Sequence, residues 1–509
     1  MSESRDSSPP APPGAAAPRF RESAAVVLTR GRGESLEVYW VLRSQAVSYM
    51  PGLRAFLGGK VDPADLELPL EDAEGLSGVE RAMRACAIRE AYEEAGVLVG
   101  LAAPVDDEPL MSGRALLLDG KISFVALAQM HGWRFRAGAI DYAGRWTTPA
   151  FTTQRFDTMF FLATVPRDQV ASVIPGELER GDWVRPGDAL AAYRAGRERF
   201  AAPILHVLRE LEAGGEGLIE RLTAGPEASA QPIRRIELQW GVVLQPMKTR
   251  PLPPATHTNA YLVGDREMAL IDPGSDAAED LEALDRLLAT LAVEGRRLRI
   301  VLLTHFHSDH VAGAQAVRER YGVKVAAHAE TAQHVRVDFA IGDREWIPLA
   351  GEQGDWNLRA LHTPGHTRGH LCFFHERSGA LFTGDHIPGG GGTVIIDPPE
   401  GDMAAYLASL EKLKALPIVM LFPGHGSPQG AAHRRIQWLI DHRLEREARV
   451  LAALGASPAA ATLADLVPHA YADVKPELWP YAERSLLAHL EKLEHEGKAR
   501  REGERWART

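Results

Sequence analysis

Cysteine is almost missing: the 509 residues include only Cys86 and Cys372, far apart in the chain. That spacing offers no disulfide framework, so a reducing compartment suits the chain better. Long apolar runs are missing too. No stretch reaches the ~18 consecutive apolar residues of a membrane span. The opening MSESRDSSPPAPPGAAAPRF has no apolar segment of signal-peptide length, and its Pro, Ala and Ser content reads as a disordered arm over residues 1–20. An excess of positive charge is lacking as well. The formal net charge is −11, which favours solubility and argues against a general nucleic-acid coat. These absences point to a soluble, cytoplasmic protein with no membrane partner.

What remains is ordinary globular composition, 45% apolar and 25% charged. A chain of 509 residues exceeds one hydrophobic core, so two or three domains are expected. Residues 21–212 open with SAAVVLTR and EVYWVLRS around a turn, which predicts a hairpin. A helix is expected over 80–95, strands at ISFVALAQM and TMFFLATV, and a helix ending on Gly in RFAAPILHVLRELEAG. The Gly-, Ala-, Glu- and Pro-rich stretch 213–235 reads as a linker. Over 236–454, strand patterns such as EMALIDPGS and LRIVLLTHFH alternate with helical ones, which signals layered α/β architecture. The tail 455–509 reads as a run of helices with a short charged end.

The strongest chemical signal is Thr304-His305-Phe306-His307-Ser308-Asp309-His310, directly after the buried-strand pattern RIVLL. Four metal-competent side chains lie within six residues where a strand enters a loop. Imidazole and carboxylate together suit zinc or a similar divalent ion. One loop cannot complete two coordination spheres. Three further candidates follow strand-like runs, each preceded by Gly: His366, Asp385 and His425. Glycine permits the tight turns that aim a side chain inward.

The region from about 245 to 450 resembles the metallo-β-lactamase superfamily, with H-x-H-x-D-H, then H, D and H present in full, and Asp272 of Ala269-Leu270-Ile271-Asp272-Pro273-Gly274 matching the first motif. The resemblance implies that His305, His307 and His366 hold one metal, that Asp309, His310 and His425 hold the other, and that Asp385 bridges. Asp309 and Asp385 are then catalytic. Asp272 would orient the ligand loop. His362, His370 and His386 are read as structural or supporting. Two zinc ions, or manganese or iron, would activate a shared water to attack a carbonyl or phosphorus centre.

Thr258-Asn259-Ala260-Tyr261-Leu262-Val263-Gly264, Pro423-Gly424-His425-Gly426 followed by His442-Arg443 and Arg446-Glu447, and the tail make the region similar to the glyoxalase II-like branch and its lactamase-like protein 2 group. That group implies a small C-terminal winged helix, with Leu486, Leu487, Leu490, Leu493 and Gly497 as its main helix and turn. Glu483, Glu491, Glu494 and Glu496 against Arg484 and Lys492 make a poor DNA-reading surface, so packing against the metal domain is expected instead.

A second signal is Arg89-Glu90-Ala91-Tyr92-Glu93-Glu94-Ala95-Gly96. On a helix Glu90, Glu93 and Glu94 share one face, and like charges there repel unless something positive sits among them. Mg²⁺ or Mn²⁺ takes carboxylate oxygens readily. With Phe56-Leu57-Gly58-Gly59-Lys60-Val61-Asp62 upstream and Arg155-Phe156-Asp157-Thr158 downstream, residues 20–212 resemble a Nudix hydrolase with an insertion in its box, related to coenzyme A diphosphatases. The resemblance implies that Glu90, Glu93 and Glu94 hold the metal, with Glu93 and Glu94 catalytic, and that Arg89 orients them. Two positions depart from the box. Arg81 stands where a Glu is usual eight residues before the Arg, with Glu80 one place off, and Leu57 replaces the Pro before Gly-Gly.

The expected architecture is α/β throughout: an N-terminal Nudix α/β/α sandwich, a metallo-β-lactamase αβ/βα sandwich, and a small winged helix. The expected function is metal-dependent hydrolysis of an ester or thioester of a small molecule, beside a Nudix domain acting on a nucleoside diphosphate derivative such as a coenzyme A species. The alternatives are an endoribonuclease or phosphodiesterase, with RNA as partner, and a Nudix domain that only senses nucleotide.

Overall fold

The computed structural model describes residues 20–47, 50–104, 107–149, 154–224, 235–251, 255–352, 354–390, 392–457 and 459–509. The expected N-terminal arm, up to residue 19, and positions 225–234 of the expected linker lie outside the described residues.

The first sheet is built around Arg21–Arg30, which pairs antiparallel with Glu37–Arg43 and Leu57–Lys60 and parallel with Phe156–Thr164. Successive side chains on a strand point to opposite faces. Accordingly Ala24, Val26 and Leu28 enter one core while Ala25 and Val27 enter another. The first core is closed by the helix Gly78–Ala95 and the second by Pro186–Arg194 and Ala202–Ala213. The result is an α/β/α sandwich.

Gly78–Ala95 starts on a capping box: the Ser77 hydroxyl accepts the Glu80 N–H, and the Ser77 N–H donates to the Glu80 carboxylate. It stops at Gly96, which is left-handed at φ 72°. Glu80 is therefore a capping residue rather than a displaced member of the carboxylate cluster.

Two local expectations are corrected. ISFVALAQM is not a strand. Ser123 caps a helix over Phe124–His131, and Gly132 ends it in the left-handed region. Its buried residues Phe124, Val125, Leu127 and Ala128 follow helical spacing, and the cap and stop decide what a short apolar run leaves open. The linker region also holds a helix, Leu218–Thr223, whose Leu222 is buried in the second core. The stretch is polar enough to read as coil, but one leucine anchors it.

The central domain has two sheets. The first runs Ile236–Gln239, Val242–Lys248, His257–Val263, Glu267–Ile271, Arg297–Leu302, Lys324–Ala327 and Phe339–Ala340. The second runs Trp346–Ile347, Leu358–His362, Leu371–His375, Ala380–Gly384 and Met420–Pro423. Their inner faces form one core, which also takes in Leu53 from the first domain. Helices Ala278–Val293 and Ala314–Tyr321 cover one outer face, and Met403–Lys414 and Ala432–Ala456 cover the other. Asp272, the 304–310 loop, His366, Asp385 and His425 all follow the C-terminal ends of strands, so the αβ/βα layering brings them to one edge.

The tail packs Leu463–Ala470 and Trp479–His495 with a terminal hairpin, Ala499–Glu502 paired antiparallel to Arg505–Arg508. Leu486, Leu490 and Leu493 lie in its core with Trp506. This is a helical unit followed by a two-stranded wing. No helix among the described residues is long and apolar enough to cross a membrane.

Candidate metal centre and carboxylate site

The seven sequence-assigned groups converge. Donor atoms of His305, His307, His366 and Asp385 lie within 4.8 Å of one another, as do those of Asp309, His310 and His425. Asp385 stands between the two sets. Its Oδ2 is 3.7 Å from His366 Nε2, and its Oδ1 is 3.2 Å from His310 Nε2 and 3.4 Å from His425 Nε2. Asp309 Oδ2 reaches His425 Nε2 at 3.2 Å. Asp385 Oδ1 is buried without a hydrogen-bond partner, which is the condition of an atom shaped to meet a cation.

Four of the five imidazoles are oriented from behind; His307 Nδ1 instead faces His305 Nε2 and His366 Nε2 at 2.9 and 3.1 Å. His310 Nδ1 meets Asp272 Oδ2 at 2.8 Å, His366 Nδ1 meets the Ile395 carbonyl at 3.0 Å, and His425 Nδ1 meets the His257 carbonyl at 3.0 Å. His305 Nδ1 lies 2.9 Å from Thr304 Oγ1, which donates to Asp272 Oδ2 at 2.6 Å. The Asp272 carboxylate also accepts the Thr304 N–H at 2.8 Å. Asp272 itself sits at φ 50°, a left-handed conformation that Asp tolerates at modest cost and that recurs at functional sites.

Burial holds His305 and His366 below the usual histidine range and His307 down to about 3, which keeps them in the neutral form that ligates cations. Burial also works against charge on His310 and His425, but Asp385 and its neighbouring carboxylates outweigh it and push both up. Three imidazoles held neutral, and two more whose protons are favoured only by the facing carboxylates that a cation would share, make a buried donor set that fits divalent metal.

The glycines before the ligands act in two ways. Gly365 and Gly384 adopt φ of 136° and 45°. Gly424 does not, but a Cβ there would lie 2.6 Å from His310 Cε1, so what it permits is close approach. At Gly365 a Cβ would also sit 2.3 Å from the Tyr406 Cα. Gly365→Ala is therefore expected to destabilise the protein by about 1–3 kcal/mol and to weaken metal binding through His366; thermal unfolding with and without chelator measures both. Asp272→Asn is expected to reduce metal affinity 10–100-fold with little change in melting of the metal-free protein; a chelator titration measures it.

Several supporting groups escaped the sequence reading. Thr304 adjoins the ligand motif but carries no metal-ligand chemistry. The His257 and Ile395 contributions are main-chain carbonyls, which any residue supplies. The Asn259 amide donates to the Pro423 and Gly426 carbonyls at 2.9 and 2.7 Å and so fixes the His425 loop. His370 and His386 are fully buried beside the ligands, whereas His362 stacks on His328 at 4.3 Å.

The carboxylate helix carries a positive charge of its own beside its glutamates. Glu90, Glu93 and Glu94 do not form a compact donor group among the described residues. The positive charge among them is Arg89, whose guanidinium donates to Glu90 at 2.7 Å and Glu93 at 2.9 Å. Its other edge grips Asp65 at 2.8 and 3.1 Å. Asp65, 2% exposed, is thus the buried carboxylate partner of Arg89. Asp65 is 24 residues from Arg89 in sequence, so helical spacing along Gly78–Ala95 gives no sign of the pair. Gly58 N–H donates to Glu94 at 2.8 Å, and a Cβ on Gly59 would lie 2.2 Å from Glu90 Oε1. Burial pushes Glu90 up to about 7 and raises Glu93 and Glu94 as well.

Comparison with known proteins gives the family of each part of the chain. Family models match residues 253–425 as the metallo-beta-lactamase superfamily, 462–506 as a beta-lactamase associated winged helix domain, and 68–211 as a NUDT19 Nudix domain. The chain is 34% identical over 262 residues to a beta-lactamase-like protein 2 homolog of Drosophila melanogaster, covering 48% of this chain and 84% of that protein. It is 34% identical over 223 residues to an atrochrysone carboxyl ACP thioesterase of Aspergillus fumigatus, covering 41% and 67%. It is 34% identical over 189 residues to a hydroxyacylglutathione hydrolase of Cereibacter sphaeroides, covering 37% and 69%. The chain belongs to the metallo-β-lactamase superfamily, as a hydrolase of the β-lactamase-like protein 2 family with a Nudix domain ahead of the metal domain and a winged helix behind it.

Proposed function

We propose that the metal centre hydrolyses a thioester or ester of a small molecule, and that the Nudix domain hydrolyses a nucleoside diphosphate derivative such as a coenzyme A species. The observation that carries the first part is Asp385, which turns one oxygen to each donor set. In this reading His305, His307 and His366 hold one cation, Asp309, His310 and His425 the other, and Asp385 both. Two zinc ions, or manganese or iron, would lower the pKa of water towards neutrality and stabilise the charge that develops on the substrate.

The chain's own residues set the conditions. Asp272, Thr304, and the His257 and Ile395 carbonyls fix the imidazoles, so little reorganisation is needed as the reaction proceeds. Cys372 and Cys86 are not the nucleophile. Both are buried, and burial pushes Cys372 up to about 12 and Cys86 well above the ordinary thiol range. The thioester assignment is supported by the relative named as an ACP thioesterase and the one named as a hydroxyacylglutathione hydrolase.

In the Nudix domain, Glu90, Glu93 and Glu94 would hold Mg²⁺ or Mn²⁺ against a pyrophosphate, with Arg89 fixed by Asp65 so that it orients the cluster. The test is the purified full chain, loaded with zinc, on a panel of acyl-thioesters beside bis-p-nitrophenyl phosphate. Preferential thioester turnover supports the reading; turnover of the phosphodiester with all thioesters intact sinks it.

A further inference from the structure

Two arginines behind the metal centre are buried without a carboxylate. Arg443 is 3% exposed and Arg435 9%, and among the described residues neither makes an ion pair. Burial pulls Arg435 down to about 10, with Arg443 adding to the effect. Burying guanidinium charge without a counter-charge is costly unless its hydrogen bonds are used. The bonds that are made here go to nearby main chain, while each Nε is left without a partner among the described residues and each guanidinium lies over a ring, Trp438 for Arg435 and Tyr406 for Arg443. Arg435 donates to the Pro388 carbonyl at 3.0 Å and to that of Gly392, and Arg443 donates to that of Val394.

The C-terminal helix Trp479–His495 holds the same stretch from its other side. Ser485 Oγ accepts the Ile396 N–H at 3.3 Å, and Arg484 pairs with Asp397 at 3.4 Å. Between these anchors lies Ile395, whose carbonyl holds His366 Nδ1. Gly389, beside Pro388, donates its N–H to the His425 carbonyl at 2.8 Å. Residues 392–397 thus lean on His366, and Pro388-Gly389 on His425, a candidate ligand from each donor set.

The helix face that does this is Ser485, Ala488, His489 and Lys492, spaced i, i+3, i+4 and i+7. Ala488 joins the core under Ala432–Ala456, and Lys492 and His489 reach Glu447 of that helix at 2.8 and 3.7 Å. In helix-turn-helix folds a helix of this kind presents a face to DNA; here that face is spent on the metal domain.

We propose that residues 392–397 are braced from two sides, by Arg443 of the metal domain's own helix Ala432–Ala456 and by Ser485 of the winged helix, and that both are positioning residues that fix, through the Ile395 carbonyl, the orientation of His366. The proposal rests on the reading of His366 as a ligand. Its test is Co²⁺ binding to the full chain by chelator competition, with thermal unfolding in parallel, for Arg443→Met, Arg443→Lys, Ser485→Ala, Leu493→Ala and His366→Ala. Arg443→Met and Ser485→Ala weaken one of two Co²⁺ sites about tenfold. Arg443→Lys restores much of that loss. Leu493→Ala, in the winged-helix core away from the clamped stretch, lowers the melting temperature and leaves Co²⁺ affinity in place. Arg443→Met and Ser485→Ala that melt earlier but bind both Co²⁺ ions as the parent does would overturn the brace. His366→Ala that binds both ions normally would instead overturn the ligand assignment beneath it.

Discussion

Asp385→Asn is expected to lower hydrolysis at the metal centre by on the order of 10³-fold or more, and to cost more than the loss of any other single side chain there. The reason is its position. Asp309 faces His425 and His310, and Asp272 lies behind His305 and His310, whereas Asp385 turns one oxygen to His366 and the other to the Nε2 atoms of His310 and His425. Burial works to raise its pKa, yet His425 and His310 outweigh this and hold it well below the carboxylate range. It is therefore a fixed negative charge between two groups of neutral or cationic imidazoles. Asparagine keeps the shape and removes the charge, so the fold is retained while cation affinity at both sets falls. Asp309→Ala should instead release one metal and leave the other in place. Metal per chain by elemental analysis, with kcat/KM on the same preparations, distinguishes the two. An Asp385→Asn protein that keeps two metals and parental turnover would rule out the bridging role.

How much of this was legible follows from where each contribution is encoded. His305, His307, Asp309 and His310 share one loop, so their chemistry is visible in six letters. His366, Asp385 and His425 are far from it, but each follows a strand and a glycine, which marks a turn at the sheet edge. The groups that orient them left little trace. Ile395 and His257 act through carbonyls, which no side-chain pattern records, and Arg443 and Ser485 come from helices whose burial depends on a neighbouring domain. Local ambiguity cost the reading elsewhere: Phe124–His131 is short and apolar enough to pass for a strand until Ser123 and Gly132 are weighed as cap and stop. Asp65 left no local signal because it meets Arg89 from 24 residues away.

The second large effect concerns that arginine and its helix. Glu93→Gln with Glu94→Gln is expected to abolish Mg²⁺-dependent cleavage of coenzyme A, by on the order of 10³-fold, while thioester hydrolysis at the metal centre stays within about twofold of the parent. Glutamine can still accept the Gly58 N–H that Glu94 now accepts, so the strand Leu57–Lys60 keeps its place. Arg89 keeps Asp65 and Glu90 as partners, so the helix end stays anchored. What is lost is carboxylate charge on a face already so crowded that burial raises all three glutamates. A divalent cation would have to displace protons from this cluster and draw Glu93 away from Arg89, so catalysis depends on retaining enough negative charge to do both. The same experiment separates enzyme from sensor. If the parent leaves coenzyme A intact, yet coenzyme A alters thioester turnover and the double variant removes that effect, the Nudix domain binds and regulates. If the parent cleaves it and the variant does not, the chain carries two hydrolytic sites, joined by a first-domain leucine, Leu53, buried in the core of the second.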